Sequence, residues 1–115
     1  MQMLLADCCF NITHESFSDD LDEIMQRAED HKVRYFFAPA SKESEILKLL
    51  NFCENYNEKI YCSVGIHPHH ASELKPDTIT NLKTHLESKY VRSIGEVGLD
   101  SVSYTHLRAH ETDLN

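Results

Sequence analysis

Apolar positions along the chain follow two alternating rhythms. Four short, nearly continuous apolar runs are rich in β-branched and aromatic residues: "MLLA" from Met3, "VRYFFA" from Val33, "KIYCSV" from Lys59 and "VRSIGEV" from Val91. Each predicts a strand, and their starts lie about thirty residues apart, the length of one strand–helix unit. Between them apolar residues recur at helical spacing. Leu21, Ile24, Met25 and Ala28 form one stripe, with Ser18 as its predicted N-cap and Asp19 and Asp20 favourable to the helix dipole. Ile46, Leu49, Leu50 and Cys53 form a second after a predicted cap at Ser41. Ile79, Leu82 and Leu86 make a thinner third, with Pro76 suited to a first helical turn.

The order is therefore β-α-β-α-β-α-β, which predicts an α/β fold of parallel strands joined by right-handed crossovers. An open doubly wound sheet and a (β/α)₈ barrel share that start. The chain has only three glycines, Gly65, Gly95 and Gly98. None sits in a Gly-x-Gly-x-x-Gly or P-loop pattern, so the dinucleotide fingerprint is missing. A barrel needs about 250 residues. The 115 residues here would hold about its first four strands.

Net charge is −8, which argues against a sequence-independent basic nucleic-acid binder. It does not argue against an enzyme whose metal ions bring positive charge to a phosphate. The cysteines Cys8, Cys9, Cys53 and Cys62 form no C-x-x-C pair, so a thiolate zinc site is unsupported. Cys8 and Cys9 lie in an apolar run and are expected to be buried reduced thiols. With no charged-then-apolar leader and no membrane-length apolar run, the expectation is a soluble cytoplasmic or nuclear protein with no membrane partner. No obligate protein partner is evident.

In parallel α/β folds, sites form at the carboxyl ends of strands. The polar residues gather there: Asp7 and Asn11 in "ADCCFNIT", His67, His69 and His70 in "GIHPHH", and Glu96 and Asp100 in "GEVGLD". Carboxylate, imidazole and amide groups at three strand ends make a constellation suited to a divalent-metal hydrolase. Pro68 stiffens the loop that carries His67. A carboxylate between two glycines at the end of an apolar strand is costly to bury unless something cationic meets it, which singles out Glu96. His14, His31 and His85 lie in polar helical stretches and read as surface residues.

Together these stretches resemble the TatD family of metal-dependent deoxyribonucleases. "GIHPHHA" followed some thirty residues later by "SIGEVGLD" looks like the family's central pattern. "ADCCFNITHESF" is similar to the opening of the branch that contains TatD itself and its eukaryotic relatives. Where most members carry His-x-His, this chain has Cys9 and Asn11, and Asn at the second position fits that branch. The resemblance implies a TIM-like (β/α)₈ barrel of the metallo-dependent hydrolase type. It further implies hydrolysis of DNA phosphodiester bonds with a divalent metal, Mg²⁺ first, with Zn²⁺ or Mn²⁺ as alternatives. By position Glu96 matches a metal-ligating, catalytic glutamate, and His67 a catalytic histidine near the scissile phosphate. Asp7, Asn11, His69 and Asp100 would line the site. The family draws further ligands, two histidines and an aspartate, from the second half of the barrel, so this chain is expected to be an incomplete and inactive fragment.

The stretch "VSYTHLRAHET", residues 102–112, reads codon for codon as a translated transposase adapter of the kind used in DNA library preparation. Residues 1–101 would then be the amino-terminal half of a barrel and residues 102–115 a non-native tail. The rival is a genuine short helix whose His106 and His110, four apart on one face, share a metal. Two other functions compete with the nuclease: a non-catalytic module that binds through an open sheet edge, and a barrel metal-hydrolase with a different ester or amide substrate.

Overall fold

The structure, a computed structural model, describes residues 3–101. The tail at 102–115, with His106 and His110, lies outside the described residues. Four strands, β1 (Leu5–Asp7), β2 (Val33–Ala38), β3 (Ile60–Val64) and β4 (Val91–Ile94), alternate with α1 (Leu21–Asp30), α2 (Ile46–Asn55) and α3 (Thr78–His85). Short 3-10 turns at Glu15–Phe17, Glu43–Glu45 and Pro68–Glu73 lie between strand ends and helices. All pairings are parallel and the sheet order is β1-β2-β3-β4. A doubly wound sheet reverses direction at a switch point. Here each new strand adds to the same edge, as in a barrel.

Strand alternation puts residues two apart on one face. Phe36 and Ala38 of β2 and Ile60, Cys62 and Val64 of β3 are buried. They pack in one cluster with Met25 of α1 and Ile46, Leu49 and Cys53 of α2. Full burial of a side chain the size of Leu49 contributes about 1.5–3 kcal/mol. Phe10 and Ile12, in the loop after β1, join this cluster. Phe10 meets Phe17 edge-on at 5.3 Å and Phe36 at 5.5 Å between ring centroids. The other sheet face is open among the described residues. Tyr35 is exposed there, and the Arg92 guanidinium lies 5.0 Å from the centre of the Tyr61 ring.

Several local expectations need correction. Ser18 does not cap α1; its hydroxyl closes the preceding 3-10 turn on the Glu15 carbonyl at 2.8 Å, and Asp20 takes the N-cap position. At α2, Ser41 precedes a 3-10 turn, and its N–H and O–H both donate to Glu45 Oε1 at 2.6 Å. Of the third stripe, Ile79 in α3 and Leu86 at its C-cap are exposed. Thr78 holds the buried position instead, because its hydroxyl donates to Glu43 Oε2 at 2.7 Å. Cys8 and Cys9 are exposed, not buried. They follow β1, an edge strand exposed along its length, whereas the buried thiols are Cys53 and Cys62 between α2 and β3.

Candidate active site

The carboxyl ends of β2, β3 and β4 are tied to one another by backbone. Gly95 N–H donates to the Val64 carbonyl at 2.8 Å, Glu96 N–H to Ala40 at 2.8 Å, and His67 N–H to Ser41 at 2.7 Å. Beneath these bonds lies Ser63, 1% exposed. Its hydroxyl accepts from Ala40 N–H at 3.1 Å and donates to the Gly95 carbonyl at 2.6 Å. Beside it, Gly65 leaves the room that the fourth strand end needs. A Cβ at residue 65 would sit 2.3 Å from the Glu96 carbonyl oxygen and 2.5 Å from the Gly95 carbonyl carbon.

This packing turns His67 and Glu96 toward one open recess of about 570 Å³, also lined by Pro68, Val97, Leu99 and Asp100. His67 Nδ1 accepts from the His69 backbone N–H at 3.0 Å. A neutral imidazole accepting at Nδ1 carries its proton on Nε2, so the free edge of His67 is a donor. In that form it can hydrogen-bond a phosphoryl oxygen and has no lone pair at Nε2 for a metal. The His67 and His69 rings meet edge-on at 4.7 Å. His69 Nε2 lies 3.8 Å from Asp100 Oδ2, so Asp100 and His69 stand on the same side of the recess as His67. His70 Nδ1 turns to Glu73 Oε1 at 3.5 Å.

Asp7 and Asn11 stand elsewhere. Asp7 Oδ1 accepts from Cys9 N–H at 3.0 Å. The Asp7 side chain lines a separate recess of about 340 Å³ with Cys8, Tyr35, Tyr61 and Arg92 on the open sheet face. Asn11 is exposed and lines neither recess. A larger recess, about 760 Å³, lies on the outer surface between α2 and α3. Its carboxylate Glu43 accepts from Asn81 Nδ2 at 2.8 Å and from Thr78 Oγ1. The Asn81 and Thr78 hydrogen bonds hold that carboxyl below the usual range. These groups fasten α3, and the recess shares no lining residue with the one at His67 and Glu96.

Ser63, Gly65 and Glu45 support this arrangement without a role visible in the sequence pattern. Glu45 accepts from Ser41 and also from Thr13 Oγ1 at 3.0 Å, and Ser41 in turn receives the His67 N–H. The available signal for Ser63 was a small polar residue inside an otherwise apolar strand.

Among the described residues no group of three or more His, Cys, Asp or Glu side chains converges to hold a metal ion. Glu96 is a half-buried carboxylate at the recess, a hard oxygen donor of the kind divalent cations take. The described residues thus fit such an ion as contributors to its shell without completing it.

A parallel sheet in sequential order, with its polar groups at the carboxyl rim, is the arrangement with which a (β/α) barrel begins. The solved structure of YJJV, the TatD homolog from Escherichia coli K12, superposes with a TM-score of 0.75 and 28% identity, over 84% of this chain and 38% of that one. The family model for TatD related DNase matches residues 6–113, and the chain belongs to that family. It is 31% identical over 96 residues to the 3′-5′ ssDNA/RNA exonuclease TatD of Erwinia amylovora, covering 84% of this chain and 37% of the relative. It is likewise 31% identical over 110 residues to the putative deoxyribonuclease TATDN3 of Mus musculus, covering 87% of this chain and 37% of the relative. The chain therefore spans little more than a third of the length of the curated relatives it matches. No helix among the described residues is long and apolar enough to cross a membrane.

Proposed function

We propose that this chain is part of a metal-dependent nuclease that hydrolyses DNA phosphodiester bonds, with Glu96 as a ligand of a divalent cation and His67 as a catalytic donor to the scissile phosphate. The observation that carries the reading is the convergence of Glu96 and His67 on one recess at the carboxyl rim of a sequentially ordered parallel sheet. When bound, the cation supplies positive charge at a phosphoryl oxygen and lowers the pKa of water. Mg²⁺ is the ion we favour, with Mn²⁺ or Zn²⁺ as alternatives, because a carboxylate-led donor set suits a hard cation. His67 holds its Nε2 proton toward the phosphate, fixed in that tautomer by the His69 N–H. Asp100 lines the same recess with His69 beside it, whereas Asp7 and Asn11 lie outside that recess on the β1 side. The four free cysteines support a cytoplasmic or nuclear location.

The test is cleavage of end-labelled single-stranded DNA by the full-length protein, with and without a chelator. Cleavage that needs a divalent cation and disappears in Glu96→Ala is the expected result. Cleavage that survives both chelation and Glu96→Ala ends the reading.

A further inference from the structure

We infer that Ser63 is a positioning residue for Glu96, holding the turn that carries the carboxylate by bonding the ends of β2 and β4 through a single buried hydroxyl. The inference rests on the role given to Glu96 above. Ser63 lies on the same face of β3 as Tyr61, the face opposite the helices, yet it is 1% exposed because the ends of its two neighbours close over it. A serine hydroxyl has one proton and two acceptor lone pairs. Here the proton goes to the Gly95 carbonyl at 2.6 Å and a lone pair takes the Ala40 N–H at 3.1 Å. Ala40 is itself fully buried, and its carbonyl receives the Glu96 N–H at 2.8 Å.

Four residues form a closed loop: Ser63 bonds Ala40, Ala40 bonds Glu96, and Glu96 is joined covalently to Gly95, which bonds Ser63. Removing the hydroxyl leaves a buried N–H and a carbonyl without a partner, and water has little access to replace it. Gly65 complements this from the next position, since a Cβ there would strike the Glu96 carbonyl at 2.3 Å. The hydroxyl pulls the turn inward, and the missing side chain lets it come. Neither residue reaches the recess with a functional group of its own.

The test uses the full-length protein and two readouts. The first is amide exchange. Ser63→Ala is expected to speed exchange at the Glu96 N–H about tenfold or more, while the Phe36 and Cys62 amides in the sheet centre keep their protection. The second is Mn²⁺ binding, expected to weaken roughly 10–100-fold in Ser63→Ala and to recover in Ser63→Thr, which keeps the hydroxyl. Should Ser63→Ala not fold, Ser63→Cys, with its weaker donor, takes its place with the same expectations. Unchanged Glu96 exchange in the folded variant overturns the inference, as does failure of Ser63→Thr to restore Mn²⁺ binding. An unaltered protein that binds no Mn²⁺ and cuts no DNA ends the nuclease reading separately, and the exchange result still decides whether Ser63 holds the turn.

Discussion

The carboxyl ends of β3 and β4 and the carboxyl end of β1 belong to one rim and carry similar side chains, yet they behave differently. At β3 and β4, backbone bonds from Gly95, Glu96 and His67 to neighbouring strand ends fix the turns, and the His67 and Glu96 side chains line one recess. At β1 the Asp7 carboxylate folds back on its own loop, and the strand is exposed along its length. Polar residues at strand ends are therefore only candidates. Main-chain bonding between adjacent ends gathers them only where it aims them at one place. The loop after β1 is tied to β2 by the Phe10 N–H on the Phe37 carbonyl at 2.9 Å, yet Asp7 stays out of the recess, whereas the Glu96 N–H reaches past β3 to Ala40.

The sharpest way to break this contrast is at the recess itself. His67→Ala is expected to lower kcat of the full-length protein about 10²–10⁴-fold, whereas Asp7→Asn, on the loosely held side, changes it far less. Steady-state cleavage of a labelled oligonucleotide compares the two, and equal losses would erase the distinction. Next in size is the sheet centre. Leu49→Ala removes a side chain 1% exposed and is expected to cost about 2–5 kcal/mol, read from the midpoint of urea unfolding. Leu5→Ala on the edge strand, 48% exposed, costs much less among the described contacts.

Glu45 tests the support behind His67. Burial is the largest single influence on its carboxyl and pushes the pKa up. The hydrogen bonds from Ser41, Thr13 and the Lys42 backbone outweigh it together and hold the group below its usual 4.5. A folded pKa below the unfolded value means that the contribution is complete above that value and is lost as pH falls through the folded pKa. Glu45→Gln is thus expected to destabilise by about 1 kcal/mol near neutrality, given its part exposure, and to lessen the loss of stability on acidification below 4.5. Thermal melts at neutral and acidic pH check both statements. The smallest effect belongs to Lys32, which holds a left-handed φ of 69° between α1 and β2. Lys32→Gly is expected to raise stability by at most about 1 kcal/mol, since relief of the left-handed cost is partly offset by greater freedom in the unfolded chain. A lowered melting temperature would show that the Lys32 side chain contributes more than its backbone costs.

Much of the fold was legible from periodicity. β2 fills the predicted run from Val33 to Ala38, and the α2 stripe of Ile46, Leu49 and Cys53 is buried as expected. β2 lies between two strands and α2 buries one continuous stripe against the sheet, so hydrophobic spacing decides them. Where polar bonding decides, the pattern was less readable. Ser18 and Ser41 look alike as caps, yet each answers to a partner, the Glu15 carbonyl or the Glu45 carboxylate, that spacing alone does not select. Thr78 displaced Ile79 from the buried face for the same reason. At the site, the motifs around His67 and Glu96 were visible as strand-end residues. Their support was not, because the bonds from Ser63 and Ala40 join positions 23 and 32 residues apart in sequence.

The close approach at Gly65 has a consequence for how the molecule would tolerate change. Its wall of the rim is bare main chain, packed against the Glu96 carbonyl at a distance no side chain can enter. In a saturation-mutagenesis map scored separately for abundance and for catalysis, most small residues near a sheet would group with the core, their replacements lowering abundance first. Residue 65 should instead group with Glu96. Even alanine would push the carboxylate out of register while the α1 and α2 layers stay in place, so a position with no chemistry of its own would carry the mutational signature of the active site.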